Sequence, residues 1–159
     1  MIGRILVPLD GSKLSEEVLP LAESLARQLG AEVCFLRVVD EERPKTGLAA
    51  TSRESGLPTV SKKQEEEATS YLGQLAESWR GKGIRATSEV VAGLAGTAIV
   101  AYAHNQKIDM IAMCTHGRSG LGRLVFGSVA DDVLRRVGIP VLLFKPEHVV
   151  SELKDKPAA

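Results

Sequence analysis

The chain has 159 residues, which is enough for one domain with a substantial hydrophobic core. Its 20 basic and 20 acidic side chains balance, so the charge favours neither nucleic acid nor an anionic membrane as partner. No apolar stretch approaches the roughly 20 residues that cross a bilayer, and no secretory signal precedes the first apolar run. Both cysteines lie inside apolar segments, which predicts reduced core thiols in a cytoplasmic protein.

The chain begins with a pattern of strand, turn, helix and strand. Arg4–Leu9 is a short apolar run that predicts the first strand, and Asp10-Gly11-Ser12 follows it as a turn. Apolar residues at helical spacing then run to Leu29, and Pro20 inside this pattern predicts an irregular start to the helix. Glu32–Val39 is again apolar and β-branched at its centre and predicts the second strand.

A segment without hydrophobic periodicity separates the second strand from the second helix. This segment, Asp40–Val60, is rich in Gly, Pro, Ser and Thr, and we expect a mobile or functional loop. Ser61 and Gln64 form a capping-box pattern at the start of the helix, and one apolar helical stripe continues to Trp79. Tyr71 and Trp79 are interpreted as core residues of this stripe.

The second half of the chain alternates strands and helices in the same way. A glycine-rich loop, Thr115–Phe126, precedes the last helix. The predicted elements are strands at Arg85–Val91, Ile108–Cys114 and Val141–Phe144 and helices at Thr97–Gln106 and Ser128–Arg136.

Strands that alternate with helices imply right-handed βαβ crossovers. We therefore predict an open, Rossmann-like α/β fold with a five-stranded parallel sheet in the order 3-2-1-4-5 and helices on both faces. Residues 1–146 would form a single domain, and residues 147–159 would form a polar tail. Strand five, Val141–Phe144, would be an uncharged edge, which favours a homodimer through this strand. In the alternative, the tail covers the edge in a monomer.

The same strand order bears on the cysteines. Strand one would lie between the strands that carry Cys34 and Cys114, so about 9 to 10 Å would separate them, which is too far for a disulfide. Cys114 is interpreted as a buried thiol at a strand end and not as a redox sensor. His116 has no second ligand or triad partner at suitable spacing, so neither zinc binding nor nucleophilic catalysis is expected.

In such sheets, ligands bind outside the carboxyl ends of the strands. Asp10 follows strand one, Val38–Asp40 ends strand two, and Cys114–Gly117 follows strand four. The glycine-rich loop ends at Gly127-Ser128, where free backbone N–H groups and the helix dipole favour an anion. In a simpler interpretation, Ser128 and Asp131 form an ordinary capping box and the glycines only turn the chain.

Three stretches of this sequence form a specific pattern. The most specific is Thr115-His-Gly-Arg-Ser-Gly-Leu121, followed by Gly127-Ser-Val129. The others are Ile5-Leu-Val-Pro-Leu-Asp-Gly-Ser12 and Leu36-Arg-Val-Val-Asp40, and the pattern extends to Lys145. With these stretches the sequence resembles the universal stress protein family. The ATP-binding branch of that family carries Gly, two residues, Gly, nine residues, and then Gly-Ser or Gly-Thr.

Gly117 and Gly127-Ser128 fit the glycine pattern of that branch, whereas Cys114 occupies the place of the first glycine. By resemblance, the main chain at Val38 would read the adenine edge and Asp10 would lie by the ribose. The phosphates would hold Mg²⁺ or Mn²⁺ chiefly by themselves. The whole implied site comprises Pro8, Asp10, Val38, Cys114, His116, Gly117, Gly127, Ser128 and Val129.

The leading functional hypothesis is an ATP-binding stress-response or signalling module that acts as a homodimer and is either non-catalytic or a slow ATPase. An adenylating enzyme or ATP pyrophosphatase of similar architecture is less favoured, because no paired carboxylates or lysine surround the glycine-rich loop. Two further alternatives stay open: a dimeric interaction protein without nucleotide and a cyclic AMP binder.

Overall fold

Strands and helices alternate along the chain, as the hydrophobic pattern predicts. The computed structural model describes residues 1–40, 61–115 and 127–146. The described elements are β1 (Arg4–Pro8), α1 (Lys13–Glu16), α2 (Leu19–Leu29), β2 (Glu32–Val39), α3 (Lys62–Gly81), β3 (Ala86–Ala92), α4 (Ala95–Asn105), β4 (Met110–Cys114), α5 (Ser128–Arg136) and β5 (Val141–Phe144).

The five strands form one parallel sheet in the order β3-β2-β1-β4-β5, so the predicted topology is confirmed. Pro8 at the end of β1 lies opposite Leu36 on β2, and Cys114 at the end of β4 lies opposite Phe144 on β5. The carboxyl ends of neighbouring strands therefore meet along one edge of the sheet, with β1 between β2 and β4.

Each face of the sheet packs on its own group of helices. Successive strand residues point to opposite faces, so β1 divides its apolar side chains between two cores. Helices α2 and α3 cover the first core, whose buried members include Val7, Val18, Phe35, Leu72 and Trp79. Helices α4 and α5 cover the second core, whose buried members include Leu6, Leu36, Ile99, Ile111 and Val133.

The aromatic and cysteine residues behave as core residues. The rings of Phe35 and Trp79 meet edge to face, with centroids 5.0 Å apart, and Tyr71 packs against the same core. Cys34 belongs to the second core and Cys114 to the first, and both are free and buried. The predictions of core aromatics and of no disulfide between these cysteines are thus confirmed.

The first helical pattern is interrupted where proline predicted an irregular start. Helix α1 ends at Glu16, α2 begins at Leu19, and Pro20 lies in the first turn of α2. Proline is tolerated there because the first backbone N–H groups of a helix have no partner within the helix. Gly30 then ends α2 in the left-handed conformation, with φ of 63°.

The capping boxes predicted at the starts of α3 and α5 are not formed, although both helices begin where the sequence predicted. Ser61 precedes α3 but its side chain makes no capping hydrogen bond, so the capping box with Gln64 is wrong. Gly127 is the N-cap of α5 and Ser128 is already helical, so the capping box of Ser128 with Asp131 is also wrong. At α5 the reason is that the extended cap position is taken by Gly127. At α3, Ser61 has the extended backbone of an N-cap, but its hydroxyl does not bond to the first turn.

Some predicted features lie outside the described residues. These are most of the loop Asp40–Val60, nearly all of the glycine-rich loop, and the tail of residues 147–159. Across residues 1–40, 61–115 and 127–146, no helix combines the length and the hydropathy that a membrane span requires.

Candidate functional site

A cavity of about 360 Å³ opens at the carboxyl ends of β1, β2 and β4. Strand order reverses at this point, because the chain builds outward from β1 to β3 and then returns to place β4 on the other side of β1. The described lining comprises Pro8, Leu9, Asp10, Ser15, Leu36, Val38, Ala95, Ile99, Met113, Cys114, Thr115, Gly127, Ser128, Val129 and Ala130.

The turn after β1 supplies a carboxylate to the described lining of the cavity. Asp10 Oδ1 accepts hydrogen bonds from Ser12 N at 2.9 Å and from Ser12 Oγ at 2.5 Å. Ser12 Oγ in turn accepts from Ser15 N and caps α1. Asp10 therefore shapes the turn and also lines the cavity, so its structural role and its proposed role by a ligand are compatible.

The start of α5 forms another wall of the cavity. Gly127 N donates to Thr115 O at 2.5 Å, which ties the helix start to the end of β4. Gly127, the N-cap residue, has no side chain that could bond the backbone N–H groups in the first turn of α5. Because Gly127–Ala130 line the cavity, the positive end of the helix dipole lies beside it, where an anion is stabilised.

Apolar side chains form a third part of the lining. Leu36 and Val38 come from β2, Ile99 from α4 and Met113 from β4. Leu36, Ile99 and Met113 are buried core residues, so this wall is held by the packing of the second core. An apolar wall beside polar backbone groups suits a flat heteroaromatic ring.

Cys114 is a buried thiol at the end of β4, as predicted. Its side chain donates a hydrogen bond to Leu14 O at 3.1 Å, and the residue is 7% exposed. Burial raises the pKa of the Cys114 thiol to about 11. The thiol is therefore protonated at neutral pH and remains a hydrogen-bond donor.

Most of the site residues implied by the resemblance line this one cavity. Pro8, Asp10, Val38, Cys114, Gly127, Ser128 and Val129 all contribute to it. His116 and Gly117 lie outside the described residues, as do Arg118 and Arg123 of the glycine-rich loop.

Sequence reasoning missed the contributions of α1 and α4. Ser15 lines the cavity, and its spacing of three residues from the N-cap Ser12 was a usable signal. Ala95 lies in the first turn of α4, which begins two residues earlier than predicted and so reaches the cavity. The small residues after Gly93 gave little indication of this boundary.

Comparisons with known proteins give a consistent result for sequence and structure. The model of the universal stress protein family matches residues 1–145. Universal stress protein MJ0531 of Methanocaldococcus jannaschii is 34% identical over 142 residues, covering 89% of this chain and 81% of that protein. The solved structure of the MJ0577 protein superposes with a TM-score of 0.75 at 26% identity, over 92% of this chain and 97% of that one.

Two more distant structures share the fold. A universal stress protein from Archaeoglobus fulgidus in complex with dAMP superposes with a TM-score of 0.64 at 22% identity, over 90% of this chain and 98% of that one. A universal stress protein in complex with cAMP superposes with a TM-score of 0.63 at 19% identity, over 91% of this chain and 97% of that one.

Proposed function

The chain belongs to the universal stress protein family, and from this premise we propose that it binds an adenine nucleotide, preferably ATP, in the cavity at the carboxyl ends of β1, β2 and β4. The protein would then be an ATP-binding stress-response or signalling module, and it would act as a homodimer. The dAMP and cAMP complexes of two similar structures support adenine nucleotides as the ligand class.

The observation that carries the proposal is the convergence of three different surfaces on one cavity. An apolar wall, the carboxylate of Asp10 and the start of α5 each suit one part of a nucleotide. The wall would hold the base, with the main chain of Val38 reading its edge. Asp10 and Pro8 would lie by the ribose, and the backbone of Gly127–Val129 would hold phosphate.

The charges of the described lining favour phosphate binding by backbone groups. Asp10 and Cys114 are the ionisable side chains of that lining, and no Lys or Arg belongs to its described part. N–H groups at the helix start would therefore carry much of the phosphate recognition. Mg²⁺ or Mn²⁺ would be held mainly by phosphate oxygens. His116, Gly117 and the loop arginines would add to this side.

The same lining favours binding over catalysis. The raised pKa of Cys114 leaves a protonated thiol, which is a poor nucleophile. Asp10 has no second carboxylate beside it within the described lining, so the paired acid and base of a hydrolase are not assembled by these residues. We therefore propose a non-catalytic module or a slow ATPase.

Calorimetric titration with Mg-ATP tests the proposal on the wild type and on Gly127→Val. Gly127 has φ of −51°, which any residue adopts, so the substitution mainly adds a side chain where phosphate would approach. We expect binding by the wild type and a loss of at least about tenfold in affinity for the variant.

The matched control is Gly73→Val in α3, where an added Cβ meets nothing within 4 Å. The control should bind like the wild type, and circular dichroism should show that all three proteins are folded. Equal affinity of wild type and Gly127→Val would contradict the assignment of phosphate to this helix start.

Cyclic AMP is the second candidate ligand, because one similar structure is a universal stress protein in complex with cAMP. One phosphate with a single charge needs less neutralisation than a triphosphate. Competition between Mg-ATP and cyclic AMP in the same titration ranks the two. If cyclic AMP binds more tightly than Mg-ATP, cyclic AMP and not ATP is the preferred ligand.

A further inference from the structure

Helix α1 connects two walls of the cavity that are far apart in sequence. On one side it follows the turn that carries Asp10. Ser15 is 6% exposed and lines the cavity. Its Oγ donates a hydrogen bond to Ser12 O at 2.9 Å and accepts one from Asp10 N at 3.4 Å. The hydroxyl of Ser15 thus holds the backbone on both sides of Gly11.

On the other side, α1 is tied to the end of β4. The thiol of Cys114 donates to Leu14 O at 3.1 Å and lies 3.6 Å from Ser15 O. The last carbonyl groups of a helix lack partners within the helix, and α1 has only four residues. Leu14 O also accepts a hydrogen bond from Glu17 N at 3.3 Å, so the thiol is a second donor to this carbonyl group, and it reaches α1 from β4.

The connection continues from Cys114 to the start of α5. Thr115 N donates to Phe144 O at 2.9 Å, and Thr115 O accepts from Gly127 N at 2.5 Å. One series of hydrogen bonds thus runs from the turn at Asp10 through α1 and the end of β4 to the N-cap of α5.

We propose that Ser12, Ser15 and Cys114 form a clasp that fixes the turn at Asp10 relative to the start of α5, and that Cys114 is a positioning residue for a ligand that contacts both. The inference rests on the proposed function, because such a ligand is a nucleotide whose ribose and phosphate lie on the two sides. A glycine at position 114, as in the resembling family pattern, has no side chain to close this clasp.

For the substitution Cys114→Gly, the clasp predicts the opposite of what the glycine pattern of the family predicts. If position 114 only needed to be small, Cys114→Gly would improve nucleotide binding. If the thiol closes the clasp, Cys114→Gly and Cys114→Ala weaken binding, whereas Cys114→Ser restores a donor at the same place. The high pKa of the thiol keeps the donor protonated across the physiological range.

The experiment measures the affinity of the wild type and the three Cys114 variants for Mg-ATP and for adenosine. Cys114→Ala and Cys114→Gly should lose about three- to tenfold in affinity for Mg-ATP, the effect of one hydrogen bond. Adenosine lacks the phosphates and should lose less. Cys114→Ser should rescue most of the loss.

A double-mutant cycle tests whether the clasp acts as one unit. Ser15→Ala and the double variant Ser15→Ala with Cys114→Ala complete the cycle. If both residues hold the same turn, the double variant binds Mg-ATP little more weakly than either single variant. Additive losses, a Cys114→Gly variant that binds as tightly as the wild type, or failure of Cys114→Ser to rescue would each overturn the inference.

Amide hydrogen exchange separates this inference from the proposed function. Without ligand, exchange at Asp10 and Ser15 should be faster in Cys114→Ala than in the wild type and in Cys114→Ser. A wild type that binds no nucleotide would refute the proposed function, and unchanged exchange would then refute the clasp as well. Faster exchange in that case would support the clasp as a structural element.

Discussion

Gly11 holds the turn after β1 in a conformation that few other residues adopt. Its φ is 78°, and an added Cβ would lie 2.6 Å from Nη1 of Arg37, whose Nε and Nη1 atoms are buried. A non-glycine residue in this region costs about 1 kcal/mol, and displacing the guanidinium group adds to that cost. We expect Gly11→Ala to lower the free energy of unfolding by about 2 to 3 kcal/mol in urea titrations.

Gly30→Ala is the matched control for Gly11→Ala. Gly30 also has a positive φ of 63°, but an added Cβ meets nothing within 4 Å. This variant should lose only the conformational part, about 1 kcal/mol. Equal losses for the two variants would mean that Arg37 does not constrain the turn.

The ionisable core residues make stability depend on alkaline pH. The pKa of Cys114 is raised to about 11 from an ordinary value of 9.0, chiefly by burial, and burial likewise raises the pKa of Tyr102 to about 12. As the pH rises, the Cys114 thiol ionises at a lower pH in the unfolded protein than in the folded protein. Its contribution to the free energy of unfolding is therefore full below pH 9.0 and is lost as the pH rises toward about 11.

Urea unfolding from pH 7 to pH 11 should therefore show a decline in stability that is shallower in Cys114→Ser, which has no thiol at this position. An identical decline in the wild type and in Cys114→Ser would show that the Cys114 thiol is not the titrating group. In native protein near pH 7, Cys114 should react slowly with thiol reagents, since little thiolate is present.

Among the helices, α4 and α5 meet where a glycine lets them approach. An added Cβ on Gly96 would overlap the carboxylate of Asp132 and lie 3.0 Å from its Cβ. Arg136 donates to Asp132 within α5 and to Thr97 of α4 across the same contact. Gly96→Ala should push α5 away and shift its start in the cavity, which lowers stability by about 1 to 3 kcal/mol and weakens nucleotide binding.

Gly73→Ala, in the interior of α3, is the control for Gly96→Ala. An added Cβ there meets nothing within 4 Å. Alanine is the better helix former, so this variant should be more stable than the wild type by about 0.5 to 1 kcal/mol in the same unfolding measurement. A Gly96→Ala variant that is stabilised to the same degree would exclude close packing of α4 on α5.

Hydrophobic patterns predicted the elements because burial on both sheet faces leaves nearly continuous apolar runs, as in β1 and β4. They located element ends less well. Ile108 was assigned to a strand, but its N–H donates to Ala103 O as the chain leaves α4, and β4 begins at Met110. The contact of Cys114 with the backbone of α1 joins residues 99 positions apart, which no local pattern encodes, whereas the spacing of Ser15 from Ser12 was a local signal that was not used.

Among the described strands, β5 lies at one edge of the sheet and carries apolar residues on both faces. Leu142 and Phe144 pack on the first core, and Val141 and Leu143 on the second. The carbonyl groups of Pro140 and Phe144 accept hydrogen bonds from Ile111 of β4 and from Thr115, which follows β4. By the alternation of a strand, the backbone groups of Val141 and Leu143 face away from β4 and are positioned for a second copy.

Leu143→Pro therefore removes a donor from the outer edge and should convert a homodimer to a monomer in light scattering. Leu142→Pro is the contrasting variant. The backbone N–H of Leu142 faces β4, so proline at this position removes a hydrogen bond inside the sheet and should unfold the protein. A wild type that is monomeric at high concentration would contradict a dimer through β5. Pairing of two such edges would satisfy both and close the assembly.

The proposed function requires that an adenine nucleotide occupies the cavity at the carboxyl ends of β1, β2 and β4. A titration of ¹⁵N-labelled protein with Mg-ATP, followed by amide chemical shifts, tests it at the level of residues. We expect the largest shift changes at Asp10, Val38 and Gly127–Val129, which line the cavity. No shift changes at millimolar Mg-ATP, or changes confined to residues away from this cavity, would contradict the claim.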